Sequence, residues 1–175
     1  MSRRVPTICL HGPESVGKST LAPRLADLFG AVHVSEYGRS FCETYGIDLS
    51  MEDLVDIGET HAAMTEAARA RGAQMIILDT DPLMTAVWAD MLFNKRDPWF
   101  AGFDDTADLY LLLDIDLPWV DDGTRMFGAP AARRRFFDLC KAELVRRKVR
   151  WRLISGQGEA RYAAALAAIR EEGIG

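Results

Sequence analysis

The sequence predicts a three-layer α/β fold built around a mostly parallel five-stranded sheet. Short apolar runs alternate along the chain with longer segments of helical periodicity, as repeated strand–helix units require. Two of these runs, at residues 75–78 and 109–113, are apolar throughout, which is typical of strands buried on both faces of a parallel sheet. A glycine-rich turn joins the first apolar run to the first helical segment.

Local signals at the ends of the segments support the individual elements. Gly30 follows the first helical segment as a stop signal, and Ser50 with Asp53 resembles the capping arrangement that begins a helix. Pro82 suits the first position of another helix. We expect strands at residues 7–10, 31–35, 75–78, 109–113 and 152–154, and helices at residues 19–29, 50–71, 82–93, 130–149 and 159–171.

Length and composition favour one globular domain over residues 1–175, with 49% hydrophobic and 27% charged residues. The formal net charge of −5 disfavours a nucleic-acid-binding surface, so we expect no nucleic-acid partner. No apolar run approaches membrane-spanning length, so we also expect no membrane partner. The sequence carries no signal for a particular oligomeric state.

The cysteines and histidines do not form a metal-binding pattern. The three cysteines are widely spaced, which is typical of reduced thiols and favours a cytoplasmic location. His11, His33 and His61 lack the spacing of metal ligands, and we interpret them as structural or surface residues.

The glycine-rich turn matches the phosphate-binding pattern G-x-x-x-x-G-K-[ST], known as the P-loop, in its required context between a strand and a helix. Its glycines let successive backbone N–H groups converge on phosphate oxygens. Lys18 suits the β- and γ-phosphates, and the Ser19 hydroxyl suits a Mg²⁺ ion, so the sequence predicts binding of ATP or GTP with Mg²⁺. The predicted P-loop residues are Gly12, Pro13, Glu14, Ser15, Val16, Gly17, Lys18, Ser19 and Thr20.

Two aspartates follow the third predicted strand, where a P-loop site needs a carboxylate. We interpret Asp79 as the group that orients hydrated Mg²⁺, with a helix cap as the less favoured alternative. For Asp81, a functional role and a cap for the helix that begins at Pro82 are equally favoured.

Glu36 and Arg39 follow the end of the second predicted strand. A carboxylate there would face the phosphate site across the end of the sheet, where Glu36 would accept a proton from an attacking hydroxyl or hold substrate hydroxyls. Arg39 would clamp a phosphate or pair with Glu36. A surface ion pair without a function is an equally favoured interpretation.

A mobile lid segment is predicted at about residues 118–135. Arg125 follows a glycine-containing turn there, which suits a lid that brings positive charge to the transferring phosphoryl group. Arg135 is the next candidate for this role, whereas we favour a solvated helix face for Arg133 and Arg134.

Taken together, these stretches resemble the NadR family of bacterial ribosylnicotinamide kinase domains. The similar stretches occur in the family's order and span nearly the whole chain. They are residues 12–20, Glu36-Tyr37-Gly38-Arg39, Asp79-Thr80-Asp81, Trp119-Val120-Asp121-Asp122-Gly123-Thr124-Arg125, and Arg161-Tyr162.

The resemblance implies the P-loop fold of nucleoside and nucleotide kinases, with a lid. It also implies transfer of the γ-phosphoryl group of ATP to the 5′-hydroxyl of nicotinamide riboside, a small-molecule substrate, with Glu36 and Asp81 as substrate contacts. The sequence departs from the family at Ser35, where the family's pattern has Trp. The candidates for an aromatic face toward the pyridinium ring are Trp88, Trp99, Phe100 and Phe103.

Two other functions fit the same P-loop. One is a regulatory ATPase or GTPase switch, which would need a partner surface but no acceptor site. The other is a kinase that phosphorylates a different small metabolite. Nucleotide consumption with and without a panel of nucleosides separates these functions.

Overall fold

Five parallel strands form a single sheet in the computed structural model, which describes residues 4–174. The strand order is β2-β3-β1-β4-β5, and every pairing is parallel, so the expectation of a mostly parallel sheet is confirmed in a stronger form. The strands are β1 (Thr7–His11), β2 (Val32–Val34), β3 (Ile76–Asp79), β4 (Leu109–Leu113) and β5 (Trp151–Ile154).

The predicted helices are all present, and two shorter ones accompany them. The helices are α1 (Lys18–Phe29), α2 (Tyr37–Tyr45), α3 (Met51–Ala70), α4 (Pro82–Phe93), α5 (Pro98–Gly102), α6 (Pro130–Arg147) and α7 (Glu159–Glu171). The capping signals are confirmed, because the Ser50 and Asp53 side chains form a reciprocal capping box and Gly30 ends α1 with a left-handed φ of 60°.

Helices cover both faces of the sheet and so produce the three predicted layers. On one face, residues of α1 and α7 pack against Ile8, Leu10 and Leu111. On the other face, residues of α4 and α6 pack against Cys9, Leu78 and Leu112. A third apolar cluster joins α3, α4 and α5 beside the sheet. Within residues 4–174, no helix is long and apolar enough to cross a membrane.

The strand order brings three chain segments together at the carboxyl edge of the sheet. Leu10 of β1 is in register with Asp79 of β3, so the turn that follows β1 begins beside this carboxylate. Val34 of β2 is in register with Leu78, which places Glu36 just beyond the same edge. Ligands of parallel α/β sheets bind beyond the carboxyl ends of the strands.

Candidate active site

A cavity of about 380 Å³ opens at the carboxyl edge of the sheet. The complete predicted P-loop forms one wall, and residues of α2, α3, α4 and the lid segment form the others. Of the predicted site residues outside the P-loop, Glu36, Arg39 and Arg125 line this cavity. It is large enough for a small ligand that is held next to phosphates.

The P-loop has the backbone geometry that its glycines permit. Gly12 has a φ of 142°, which strains any other residue, and a Cβ there would approach the backbone carbonyl oxygen of Leu113 to 3.0 Å, a contact tighter than most. Lys18 begins α1 and is 8% exposed, and its Nζ donates to the carbonyl oxygens of Gly12 (2.8 Å) and Pro13 (2.6 Å). The ammonium group therefore lies inside the turn, at the positive end of the helix dipole.

Asp79 ends β3 as a buried carboxylate, with an exposed fraction of 3%. Its Oδ1 has no hydrogen-bond partner among the described residues, which is costly for a buried charged group. Burial raises the pKa of Asp79, while the charges of Lys18 and Arg39 oppose that rise. Its free oxygen and the nearby lysine suit a group that orients the water shell of a cation.

Glu36 lies at the N-cap position of α2 and lines the cavity. Burial raises the pKa of this carboxyl group to about 7, and the charge of Asp79 adds to the rise. Lys18, Arg39 and Arg125 lower it in part. A carboxylate with a pKa near neutrality is well matched to accept a proton at physiological pH.

Asp81 does not line the cavity, in contrast to Glu36. One of its oxygens accepts a hydrogen bond from the backbone N–H of Leu83 (3.0 Å), and the other accepts one from the hydroxyl of Tyr110. Burial raises the pKa of Asp81 to about 6, although these two donors oppose the rise. The capping interpretation of Asp81 therefore describes this structure, and its contact with a substrate stays a prediction.

Thr80 separates these two aspartates and has a left-handed φ of 68°, which is unusual for a threonine. Its backbone N–H donates to the carbonyl oxygen of Leu10 (3.1 Å), so the conformation is held against β1. The turn directs Asp79 and Asp81 to different environments. Backbone strain of this kind concentrates at functional sites.

Arginine and aspartate side chains connect α2 to the lid segment. Arg39 donates from Nη2 to Oδ2 of Asp122 (2.5 Å), and the Nε of Arg125 lies 3.2 Å from the same oxygen. The predicted pairing of Arg39 with Glu36 is not among the ion pairs of the described residues. Asp122 instead holds both guanidinium groups at the mouth of the cavity, where they face Glu36.

The lid segment is in contact with the P-loop. The Glu14 carboxylate accepts hydrogen bonds from the backbone N–H groups of Met126 (2.9 and 3.1 Å) and Phe127 (2.9 Å). Nη1 of Arg125 donates to Oγ of Ser15 (3.2 Å), and Nη2 of Arg133 donates to the carbonyl oxygen of Ser15 (3.1 Å).

The arginines of the lid segment differ from expectation in one respect. Arg133 contacts the P-loop, so the solvated-face interpretation was wrong for it, whereas Arg134 pairs with Asp138 on the exposed face of α6 and agrees with it. Arg135 is exposed and does not line the cavity. Residues 130–135 form the first turns of α6, so the irregular part of the lid segment ends at Ala129.

A family model described as "AAA domain" matches residues 7–161, which include the P-loop and all the cavity-lining residues. The chain belongs to this family.

A curated relative narrows the comparison. The trifunctional NAD biosynthesis/regulator protein NadR of Escherichia coli strain K12 is 31% identical over 141 residues. These residues are 77% of this chain and 34% of the relative, so the chain spans about a third of the curated protein's length.

Solved structures agree with the fold. A NadR protein in complex with NR superposes with a TM-score of 0.83 at 26% identity, over 97% of this chain and 52% of that one. Thymidylate kinase from Ehrlichia chaffeensis superposes with a TM-score of 0.67 at 14% identity, over 95% of this chain and 97% of that one. The predicted P-loop kinase fold is confirmed.

Only one of the four aromatic candidates lines the cavity. Trp88 of α4 lines the cavity, and its ring packs against those of Phe127 and Phe136. The other three candidates do not line the cavity: the Trp99 ring packs edge-to-face against Phe100 and at a tilt against Phe103, around α5. Ser35 lies in a separate hollow beside β2 and α3.

His61 is a cavity residue that the sequence interpretation missed. It lies on α3, one turn beyond Ile57 and two turns beyond Leu54, and these three side chains line the α3 wall of the cavity. The signal in the sequence was a histidine within the apolar stripe of this helix. That pattern is equally typical of a core residue, so the sequence did not distinguish the two environments.

Proposed function

We propose that this chain is an ATP-dependent kinase that phosphorylates the 5′-hydroxyl of nicotinamide riboside and produces nicotinamide mononucleotide, a step of NAD salvage. One observation carries the proposal: the P-loop, the Glu36 carboxylate and Arg125 line the same cavity. A phosphate donor, an acceptor hydroxyl and the charge that develops between them would therefore meet in one place. The similarity to NadR supports nicotinamide riboside as the acceptor.

The P-loop would hold the phosphates of ATP through its backbone N–H groups. Lys18 would exchange its two carbonyl partners for β- and γ-phosphate oxygens, which are stronger acceptors for an ammonium group. The hydroxyl of Ser19 and the unpaired oxygen of Asp79 suit Mg²⁺, an ion that takes few protein ligands and retains several waters. When bound, Mg²⁺ would neutralise charge on the phosphate oxygens.

Glu36 would accept the proton of the acceptor's 5′-hydroxyl while the 5′-oxygen attacks the γ-phosphorus. The bond from this oxygen to phosphorus forms as the bond to the β,γ-bridging oxygen breaks, and ADP leaves. Arg125 would stabilise the charge of the transferring group from the lid side, which suits a loose transition state that depends on position and electrostatics.

The acceptor pocket combines negative charge with an aromatic face. Glu36 would supply a carboxylate near a cationic ring, and the charge of Asp79 acts on Glu36 from behind the cavity wall. Trp88 would supply the indole face that cation–π contact favours. Arg39 would hold the donor phosphates or Asp122. We retain the contact of Asp81 with the ribose from the family resemblance. In the structure Asp81 is buried and accepts hydrogen bonds from Leu83 and Tyr110.

We also propose that residues 1–175 act as one kinase domain, with its lid at about residues 118–135. We also propose a cytoplasmic location, where ATP is available and the three free cysteines would stay reduced.

The test is incubation with ATP, Mg²⁺ and nicotinamide riboside, with mass spectrometry of the product. We expect stoichiometric ADP and nicotinamide mononucleotide. Phosphorylation of an uncharged nucleoside alone would retain the kinase and reject this acceptor. ATP hydrolysis that no nucleoside in a panel accelerates would favour the regulatory switch instead.

A further inference from the structure

His61 is a buried imidazole whose hydrogen-bonding groups are unused. Its side chain lines the cavity and is 1% exposed. Neither Nδ1 nor Nε2 has a hydrogen-bond partner of normal geometry within residues 4–174, although the backbone of Asp79 lies close enough to the ring to oppose, in part, the lowering of its pKa by burial. Buried polar atoms are nearly always paired, so an unpaired ring that faces a ligand cavity indicates a partner that arrives with the ligand.

The imidazole is neutral at physiological pH. The ordinary pKa of a histidine side chain is about 6.5, so the unprotonated form predominates at physiological pH. A neutral imidazole offers one N–H donor and one acceptor nitrogen. It also does not repel a cationic ring, as a protonated histidine would.

The surroundings of His61 fit a flat ring. Leu54 and Ile57 precede it on the same wall of α3, and Met84 and Trp88 of α4 line the cavity with them. These four side chains offer no partner for the imidazole nitrogens. Thr80 and Thr85 also line the cavity, and neither hydrogen-bonds the His61 ring within the described residues. A ligand ring that enters beside the four apolar side chains can satisfy His61 through a polar substituent of its own.

We propose that His61 recognises the carboxamide substituent of the acceptor's pyridinium ring and makes the enzyme selective for the amide. This inference rests on the proposed function, and it makes His61 a specificity-determining residue. A carboxamide has both N–H donors and a carbonyl acceptor, so it pairs with either tautomer of the neutral imidazole. A carboxylate at the same ring position can accept hydrogen bonds but cannot donate them. It also brings a negative charge toward the carboxylates of Glu36 and Asp79, which repel it.

Three ribosides that differ only at this ring position test the proposal: nicotinamide riboside, nicotinic acid riboside and the unsubstituted pyridinium riboside. Their kcat/KM values with ATP and their Kd values by calorimetry without ATP are measured for wild type, His61→Leu and His61→Gln. We expect His61→Leu to lower kcat/KM for nicotinamide riboside, and to raise its Kd, roughly 10- to 100-fold. The kcat/KM and Kd values for the unsubstituted riboside and the KM for ATP should change little. The variant should therefore lose its preference for the amide. His61→Gln, which retains a donor and an acceptor, should restore part of it.

His33→Leu is the matched control, since it removes another histidine with an unpaired ring nitrogen, in the hollow beside β2 and α3. It should leave all three substrates unaffected. Equal loss for all three ribosides in His61→Leu would assign His61 to the ribose or to the fold and overturn the inference, as would an unchanged amide preference. If wild type phosphorylates none of the three, the proposed function itself fails, and that result is distinct from a changed preference.

Discussion

Asp79 is the last residue of β3, and its buried carboxylate has one oxygen without a hydrogen-bond partner among the described residues. An amide at this position would keep the size of the side chain but lose the charge that orients a hydrated cation. We expect Asp79→Asn to raise the Mg²⁺ concentration for half-maximal turnover about 10- to 100-fold. The measurement is turnover against Mg²⁺ concentration, with Asp104→Asn on an exposed loop as control. An unaltered Mg²⁺ dependence would return Asp79 to a structural role.

Glu36 couples activity to stability through its pKa of about 7, which lies above its ordinary value of 4.5. Between these values the folded chain keeps a proton that the unfolded chain releases, so stability falls as pH rises through this window. We expect Glu36→Gln to melt a few degrees higher than wild type at pH 8, with no gain below pH 4.5, because glutamine cannot ionise.

The same substitution should remove most of the turnover. In wild type, turnover should rise with pH through about 7, since only the ionised carboxylate accepts a proton. Melting temperatures and rates from pH 4 to 9 test both effects, with Glu59→Gln on the exposed side of α3 as the matched control. A Glu36→Gln protein that melts like wild type at every pH would contradict a raised pKa for this half-buried carboxyl group.

At the scale of the elements, the strands and long helices were predictable because their signals are local. Periodicity identified α4 and α7 to the residue, and capping residues located the start of α3. The helix α2 was missed because Gly38 lies in its first turn and no side-chain hydrogen bond caps it. The five-residue helix α5 is too short for periodicity to reveal.

The candidate site was predictable in its motifs but not in its long-range contacts. Strand ends pointed to Glu36 and Asp79 because parallel strands share a carboxyl edge. The attachment of the lid segment to Glu14 joins residues 112 and 113 positions apart, at a P-loop position where any residue is allowed. No local pattern signals such a contact, and none separated the cavity position of His61 from a core position.

The lid segment should loosen when Glu14 is removed. Its carboxylate holds the backbone N–H groups of Met126 and Phe127, and Glu14→Ala leaves them to solvent. We expect these two amides to exchange hydrogen at least about 10-fold faster in Glu14→Ala, since a charge-assisted bond of over 1 kcal/mol is lost. Hydrogen exchange with mass spectrometry measures this, with residues of β4 as the internal control. Unchanged exchange at both amides would show that the lid segment is held by other contacts.

Arg125 should matter through the shape of its guanidinium group as well as its charge. Three partners use it in the structure: Asp122, Ser15 and the carbonyl oxygen of Val120. Arg125→Lys keeps the charge but loses the planar fork, so we expect turnover to fall about 10-fold or more. Arg134→Lys on the exposed face of α6 is the control. Full turnover in Arg125→Ala would move the lid role to Arg133, the other arginine that contacts the P-loop.

The three apolar clusters of the molecule lie on the two faces of the sheet and beside it. Residues that belong to each of these clusters also line the candidate site. Ligands that bridge the P-loop and the α3 wall should therefore stabilise the folded domain as a unit. At 100 times its Kd, a ligand adds about 2.7 kcal/mol, which corresponds to a rise of roughly 5–11 °C in Tm for a domain of this size. We expect ATP with Mg²⁺ and nicotinamide riboside each to produce a shift of this order in a single cooperative transition.

Lys18→Ala should affect the thermal shift caused by ATP and not the shift caused by nicotinamide riboside, because Lys18 lies in the P-loop, on the phosphate side of the cavity. We expect this variant to lose most of the shift caused by ATP and nearly all turnover, yet to keep the shift caused by nicotinamide riboside. Lys95→Ala, an exposed lysine after α4, serves as the control and should keep both shifts. Differential scanning calorimetry gives the shifts and the number of transitions. A Lys18→Ala protein that retains the full ATP shift and turnover would contradict the phosphate role of this lysine and, with it, the phosphate end of the proposed site.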